Sequence, residues 1–349
     1  MFGDEAPEIA DVLIVEARLA IKRSRFAEAQ VAAAKAIRIR EREFGKDHPS
    51  LTEAWFVQGQ VASNDGRLED ADASFGRAIA IARGAYGDDT IVIAAILSEQ
   101  ASLTHARGQL ARALELIERA LEIRAHVEGG DHPDLAMDLL ERGRLLSDQG
   151  KYAEDLSAIE KALAIAERSL GDAHATVSAM LQDLGTAYGK LGQPQRARVQ
   201  LERAIAVATK SGDQLSIATA TTGLAEFLHA GGAPRDALPL YTRALATYEA
   251  LVGPDHPQLI ATLTNIGIAE TDMRDPKAAI PYLERAITIE SKHTDEQSQQ
   301  LVNPLTALGD AQAAARNQPA AKLAWQRALA IAVANNMAED VRDLRAKLR

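Results

Sequence analysis

The sequence predicts an all-α solenoid of about eight helix-turn-helix repeats with a C-terminal capping helix. Two observations carry this: one period of small residues runs the length of the chain, and each period holds two amphipathic helical patterns. Taking the alanine of "ERAL"-like phrases as a marker gives Ala36, Ala78, Ala120, Ala162, Ala204, Ala244, Ala286 and Ala328, 42 residues apart except for one 40-residue step from Ala204 to Ala244. Seven residues before each marker stand Ala29, Ala71, Ala113, Asp155, Ala197, Ala237, Ala279 and Ala321. Twelve residues earlier again stand Ala17, Gly59, Ala101, Gly143, Gly185, Ala225, Gly267 and Gly309. The repeats fall at about 7–48, 49–90, 91–132, 133–174, 175–214, 215–256, 257–298 and 299–336, with a cap over 337–349, in a single domain.

The fourth repeat shows how each is built. In "DLAMDLLERGRLLSDQ", Leu135, Leu139, Gly143 and Leu146 share one helical face; "GK" at 150–151 breaks that helix,. "YAEDLSAIEKALAIAERS" then repeats the pattern with Tyr152, Leu156, Ile159, Leu163 and Ile165. Two antiparallel helices joined by so short a turn must approach closely, so Gly143 and Ala162 are contact points where a larger side chain would overpack.

Composition agrees and narrows function. The 349 residues are 47% hydrophobic but only 4% aromatic, so small apolar side chains must form the core,. The absence of cysteine excludes disulfides, thiolate metal sites and cysteine nucleophiles,. A net charge of -10 with interspersed signs offers no cationic stripe for a phosphate backbone, so no nucleic-acid partner is expected,. No run approaches the ~20 apolar residues of a membrane span, and "MFGDEAPEIADV" lacks a signal-peptide pattern,. No membrane partner and a cytoplasmic location are expected.

The Gly/Ala, Ala and Ala columns, with Phe75, Ile117, Ile159, Leu201, Tyr241, Leu283 and Trp325 between the last two, resemble tetratricopeptide repeats. The 42-residue spacing and "GPDHPQLIATLTNIG" (253–267) resemble more specifically the kinesin-light-chain type, which is widespread in bacterial proteins. The resemblance spans essentially the whole chain. It implies a right-handed superhelix whose first helices line a concave face, and a non-catalytic scaffold that binds a peptide or partner protein there, without cofactor or metal. A regulatory or sensor segment of a multidomain bacterial signalling protein (a kinase, a caspase-like peptidase or a transcription regulator) and a self-assembly module are the alternatives.

"GKDHP" (45–49), "GGDHP" (129–133) and "GPDHP" (253–257) stand at the hand-over between repeats, and "GDDTI" (87–91), "GDAHA" (171–175) and "SGDQL" (211–215) are decayed copies. Glycine there stops one helix, aspartate is expected to cap the next, and proline fits the first helical turn. Equivalent positions in stacked helix layers lie about 10 Å apart, so His48, His132 and His256 cannot share one metal. No phosphate loop, H-E-x-x-H or G-x-S-x-G appears, and the chain is not expected to be an enzyme,.

"FGDEAP" at 2–7 aligns with "FGKDHP" at 44–49, so the chain opens on an inter-repeat joint. This suggests the C-terminal part of a longer protein, with an uncapped N-terminal face able to drive a homodimer. At the other end, "AEDVRDLRAKLR" places Val341, Leu344 and Leu348 on one face, as a cap requires,.

The groove assignment follows from the resemblance. Two places before the Gly/Ala column stand Val15, Val57, Glu99, Glu141, Asp183, Gly223, Asn265 and Ala307; one place after it stand Arg18, Gln60, Ser102, Arg144, Thr186, Glu226, Ile268 and Asp310. Kinesin-light-chain repeats favour asparagine at the earlier place, where an amide both donates to and accepts from a peptide backbone. Asn265 matches; three acids replace it in the middle repeats and point to a basic or polar partner. The candidate groove residues are Arg18, Gln60, Glu99, Glu141, Arg144, Asp183, Thr186, Glu226 and Asn265. Asp155 interrupts an alanine column, and Arg142 replaces an apolar residue in the same repeat. The two opposite charges are expected to form a salt bridge.

Overall fold

A computed structural model describes residues 6–23, 25–130, 132–293 and 297–349. Among them are 17 α-helices and no strand. The chain divides into two compact units, Met1–Ser169 and Leu170–Arg349. The first holds α1 (Pro7–Lys22), α2 (Phe26–Phe44), α3 (Leu51–Asn64), α4 (Leu68–Tyr86), α5 (Ile91–Ala106), α6 (Leu110–Val127), α7 (Pro133–Asp148) and nearly all of α8 (Tyr152–Leu170). The second holds α9 (Ala175–Lys190), α10 (Pro194–Ser211), α11 (Gln214–Ala230), α12 (Pro234–Val252), α13 (Leu259–Asp272), α14 (Pro276–His293), α15 (Val302–Ala314), α16 (Gln318–Ala334) and α17 (Ala338–Lys347).

Each odd-numbered helix up to α15 forms a hairpin with the next one, and within each unit consecutive hairpins stack. The first helices also meet one another: α1 packs on α3, α3 on α5 and α5 on α7, as α9 does on α11, α11 on α13 and α13 on α15. Each unit therefore presents one face made of first helices.

The three columns of small residues are where the helices touch. The alanines of all three are buried, as are the intervening Phe75, Ile117, Ile159, Leu201, Tyr241 and Leu283. A methyl added to Gly59, Gly267 or Gly309 would collide with Phe75, Leu283 or Trp325, and on Gly185 it would stand 2.7 Å from Leu201 Cγ. The large residue of the second helix thus occupies the space that the glycine vacates on the first.

The turns obey a finer period than the hairpins. From Gly45 to Gly192 a glycine with φ of 69–85° recurs every 21 residues, at turns within and between hairpins alike. The left-handed conformation ends one helix and redirects the chain, and it costs a side chain roughly 1–2 kcal/mol. The next such glycines are Gly212 and Gly232, so the 40-residue repeat has lost one residue from each of two successive segments. Past Gly253 the left-handed position falls to Arg274 (φ 65°) and Arg316 (φ 64°).

The joints differ from expectation in the residue that caps and in the place of two prolines. Histidine caps α7 and α9, Nδ1 of His132 and His174 accepting the N–H of Asp134 and Thr176 at 3.3 and 3.2 Å. Nδ1 of His48 and His256 accepts the N–H of Ser50 and Gln258 in the turn before α3 and α13 at 3.3 and 3.2 Å. Asp47 instead accepts from Arg77 at 2.7 Å, Asp89 from Arg119, and Asp255 from Lys292 at 2.8 Å, so each ties its joint to the second helix of the following hairpin. The ring reaches the N–H two residues on, which leaves the aspartate for the cation. Asp131 lies outside the described residues. In "SGDQL" the aspartate does cap, Asp213 accepting from Leu215 and Ser216 at 3.2 Å. Pro133 opens α7, whereas Pro49 and Pro257 lie in the turn two residues before α3 and α13.

At the C-terminus α17 packs on α16, with Leu344 buried and Val341 and Leu348 half-buried against the cluster around Trp325. This is the cap that the apolar face of 341–348 implied. At the other end of the first unit, Val12, Val15 and Leu19 of α1 and Val31 of α2 are exposed. The joint proposed at 2–7 lies mostly outside the described residues.

Gly267→Ala is expected to destabilise the chain by about 1–3 kcal/mol through overpacking against Leu283, measured by urea denaturation. Arg274→Gly and Arg316→Gly are expected to stabilise it by about 0.5–1 kcal/mol by relieving left-handed strain; a loss of stability in both would contradict this account.

Candidate functional site

Four of the nine candidate groove residues converge in the first unit. A cavity of 480 Å³ is lined by Gln60 of α3, Glu99 of α5, and Glu141 and Arg144 of α7. Its apolar wall comes from Phe56, Ala95, Ile117 and Met137, with Ser98 and Ser102 making α5 a low floor between the larger side chains. Arg18 lies in an adjoining depression that shares Phe56 and Ala95, and it pairs with Glu53 at 3.1 Å. Asp183 and Thr186 lie on α9, Glu226 on α11 and Asn265 on α13, all in the second unit. Thr186 donates to the Gln182 carbonyl of its own helix at 3.0 Å.

Phe56, Ala95 and Met137 escaped the sequence reading although the signal was present. They stand three or six residues before the Gly/Ala column, one helical turn from the candidate groove positions,. Conversely, Val57 and Ala307, from the same column as Glu99, are buried in the core.

The polar groove residues mostly hold one another. Gln60 Nε2 donates to Glu99 at 2.8 Å, and Asn265 Nδ2 donates to Glu226 at 3.0 Å. Both pairs link the position after one column to the position two before the next, 39 residues on. A second register joins His105 to Asp148 at 2.6 Å and His229 to Asp272 at 2.8 Å, each 43 residues apart. Ser102 occupies the place that Gln60 and Glu226 fill elsewhere, and Glu141 is held instead by His105 Nδ1 at 3.1 Å. Asn265 therefore faces a carboxylate, which occupies part of the hydrogen-bonding capacity that a peptide backbone would use.

Behind the groove lies a buried cation that the sequence reading did not find. Arg124 of α6, 4% exposed, donates through Nε to Asp138 at 2.8 Å and through Nη1 to Asp134 at 3.0 Å and Glu128 at 3.3 Å. Burial pushes the Asp138 carboxyl above its ordinary range, against the pull of Ser98 and Arg124,. Glu128, His132 and Asp134 bring ligand atoms within 4.8 Å of one another, the geometry of a cation site. Arg124 already supplies the positive charge to both carboxylates, and His132 Nδ1 faces the Asp134 N–H as a cap. The cluster is an ion-pair network.

The expected Arg142–Asp155 bridge is replaced by another pair. Arg142 Nε lies 3.4 Å from Glu118 of α6, while Asp155 is buried against Gly143, its Oδ1 2.9 Å from where a methyl on that glycine would stand. The position before the column faces the preceding hairpin, and the partner helix α8 packs on the other side.

The tetratricopeptide-repeat family model matches residues 92–154, 139–210 and 216–292, more than half of the chain, and related models of the same repeat match 17–50 and 52–84. The chain belongs to the tetratricopeptide-repeat family. No curated protein matches this tetratricopeptide-repeat chain in sequence. Among solved structures it is similar to a putative kinesin light chain with nearly identical repeats from Podospora anserina, at 23% identity over 59% of this chain and 98% of that one, TM-score 0.51. It is similar to a Rap protein complexed with competence and sporulation factor, at 11% identity over 98% and 97%, TM-score 0.62. It is also similar to the apo quorum sensor NprR from B. thuringiensis, at 12% identity over 93% and 88%, TM-score 0.69. At these identities the likeness is one of fold. Among the described residues no helix is long and apolar enough to cross a membrane.

His105 makes the α5–α7 contact pH-dependent. Burial opposes its charge, but hydrogen bonds to Asp148 and Glu141 outweigh that and hold the imidazole above its ordinary value,. With the folded value raised, the stabilisation is fully present below the unfolded value of about 6.5 and is lost as pH rises through the folded one. The stability difference between the wild-type chain and His105→Gln is therefore expected to be largest in mildly acidic buffer and to shrink towards pH 8, followed by thermal unfolding.

Proposed function

We propose that the chain is a non-catalytic scaffold that binds a peptide or a partner's extended segment on the first-helix face of its first unit. The observation that carries this is the cavity between α3, α5 and α7, where an apolar wall (Phe56, Ala95, Met137) meets Gln60, Glu99, Glu141 and Arg144. A site with a small apolar depression and a rim of hydrogen-bonding groups suits an apolar anchor residue on a backbone fixed by polar contacts. Acids outnumber bases around it: Glu99, Asp134, Asp138 and Glu141 against Arg124 and Arg144. The favoured ligand is therefore basic as well as apolar.

A second reading is favoured by the neighbours. The Rap structure contains competence and sporulation factor and NprR is a quorum sensor, and the present chain covers 97% and 88% of those chains in fold. On this reading, ligand occupancy of the groove regulates a partner or an attached domain. A homodimer through the exposed Val12, Val15, Leu19 and Val31 is a separate proposal, checked by the mass in solution and its response to Val31→Glu.

Peptides selected on the chain from a random display library are expected to be enriched in an apolar residue next to lysine or arginine. Their affinity should fall at least about tenfold on Phe56→Ala or Glu99→Lys, the loss of roughly one interaction of 1.4 kcal/mol. It should be unchanged on Glu122→Ala, an exposed second-helix residue. Equal affinity for all four proteins would rule out this groove.

A further inference from the structure

His105 of α5 reaches two carboxylates of α7 at once: Nδ1 lies 3.1 Å from Glu141 Oε1 and Nε2 lies 2.6 Å from Asp148 Oδ2. Ionised carboxylates only accept, so both contacts are hydrogen bonds only when both ring nitrogens carry a proton. A neutral ring has one N–H. The shorter contact, to Asp148, retains it, and Nδ1 then turns a lone pair towards Glu141. Glu141 has a side chain 17% exposed, against 50% for Asp148, and it lines the cavity between α3, α5 and α7.

We propose that Glu141 is a proton-gated recognition group: imidazolium at His105 engages its carboxylate within the groove, and the neutral ring releases it to bind a lysine or arginine side chain of a peptide. This rests on the groove being the binding surface. It adds the ligand's chemical class and a means of control.

The remaining charges near the ring, apart from Arg144, are engaged elsewhere. On α5 itself, Arg107 pairs with Glu69 and Asp72 of α4, and Glu99 accepts from Gln60 of α3. On α6, Arg112 pairs with Glu115, and Glu118 with Arg142 of α7. Arg144 of α7 forms an ion pair with Glu141 at 3.9 Å, beyond hydrogen-bond distance and half-exposed, so it does not fix the carboxylate as the imidazolium does,. Arg124 is committed to Asp138, Asp134 and Glu128. Release of Glu141 therefore places a negative charge beside Phe56 and Met137, where a cation carried next to an apolar anchor would meet it.

The second unit holds the same register without the gate. His229 pairs with Asp272, but the residue equivalent to Glu141 is Asn265, which donates to Glu226. That histidine has one carboxylate to satisfy, and a neutral ring suffices.

The test uses the full chain and a fluorescein-labelled peptide of alternating leucine and arginine, followed by fluorescence polarisation from pH 5.5 to 8.0. Wild-type affinity is expected to rise about tenfold across this range, the equivalent of one charge interaction. His105→Gln should bind tightly at every pH, Glu141→Gln weakly at every pH, and His229→Gln should keep the wild-type profile. Nitrogen-15 spectra of the His105 ring should show both nitrogens protonated at pH 5.5, and peptide should lower the pH at which the second proton leaves. Binding that rises with pH equally in His105→Gln, or that is flat in the wild type, would overturn the gate while leaving the groove. Absence of binding by any variant at any pH would overturn both.

Discussion

The close approach of two helices at one small residue is the constraint on which the structure depends. At Gly59, Gly185, Gly267 and Gly309 the first helix gives up its side chain, and Phe75, Leu201, Leu283 or Trp325 of the second occupies the space. The contact sets how closely each hairpin closes. A 21-residue rhythm of left-handed turns then places every hairpin in the same relation to the next within a unit. Constant geometry of this kind explains why polar pairs recur at fixed separations, Gln60 with Glu99 as Glu226 with Asn265, and His105 with Asp148 as His229 with Asp272. The register belongs to the fold, and the residues placed in it differ from repeat to repeat.

Buried charge gives individual hairpins their identity. Four residues after the alanine marker, half of the second helices carry an alanine and one carries Tyr248, yet Arg40, Arg124 and Glu290 stand there in the others, all buried. Arg40 bonds Asp11 and the Ser50 carbonyl, Arg124 bonds Asp138 and Asp134, and Ser298 donates to Glu290 at 2.6 Å. An ionised group in the interior is costly unless its partners are in place. Each of these contacts is satisfied only by the correct neighbouring segment, so it distinguishes one hairpin from another along an otherwise repetitive chain. The same constraint governs the candidate groove, where carboxylates and amides face one another.

Periodicity determined the helices, their pairing, the contact columns and the C-terminal cap, because each follows from residues within about 42 positions of one another on a repeating frame. Leu344 illustrates this: its burial could be inferred from spacing alone. The histidine of the D-H-P joint shows the limit. Its recurrence was evident in the letters, but Asp47 and His48 are both able to accept a backbone N–H, and only the position of Arg77 on the following hairpin assigns aspartate to the cation and histidine to the turn before α3.

The groove divides along the same line. That Gln60, Glu99, Glu141 and Arg144 lie on first helices was legible from the column, whereas Phe56 and Met137 were one turn away and Arg124 enters from a second helix that no first-helix pattern includes. That Arg142 meets Glu118 and not Asp155, or that His105 bridges Glu141 and Asp148, depends on which side of each helix its neighbours occupy. Sequence by itself determined the repeating unit, because backbone conformation and close packing are local and act identically in every copy. Tertiary structure alone decided the partners of the charged groups, because hydrogen bonding depends on ångström distances between side chains some 40 residues apart, which a period does not specify.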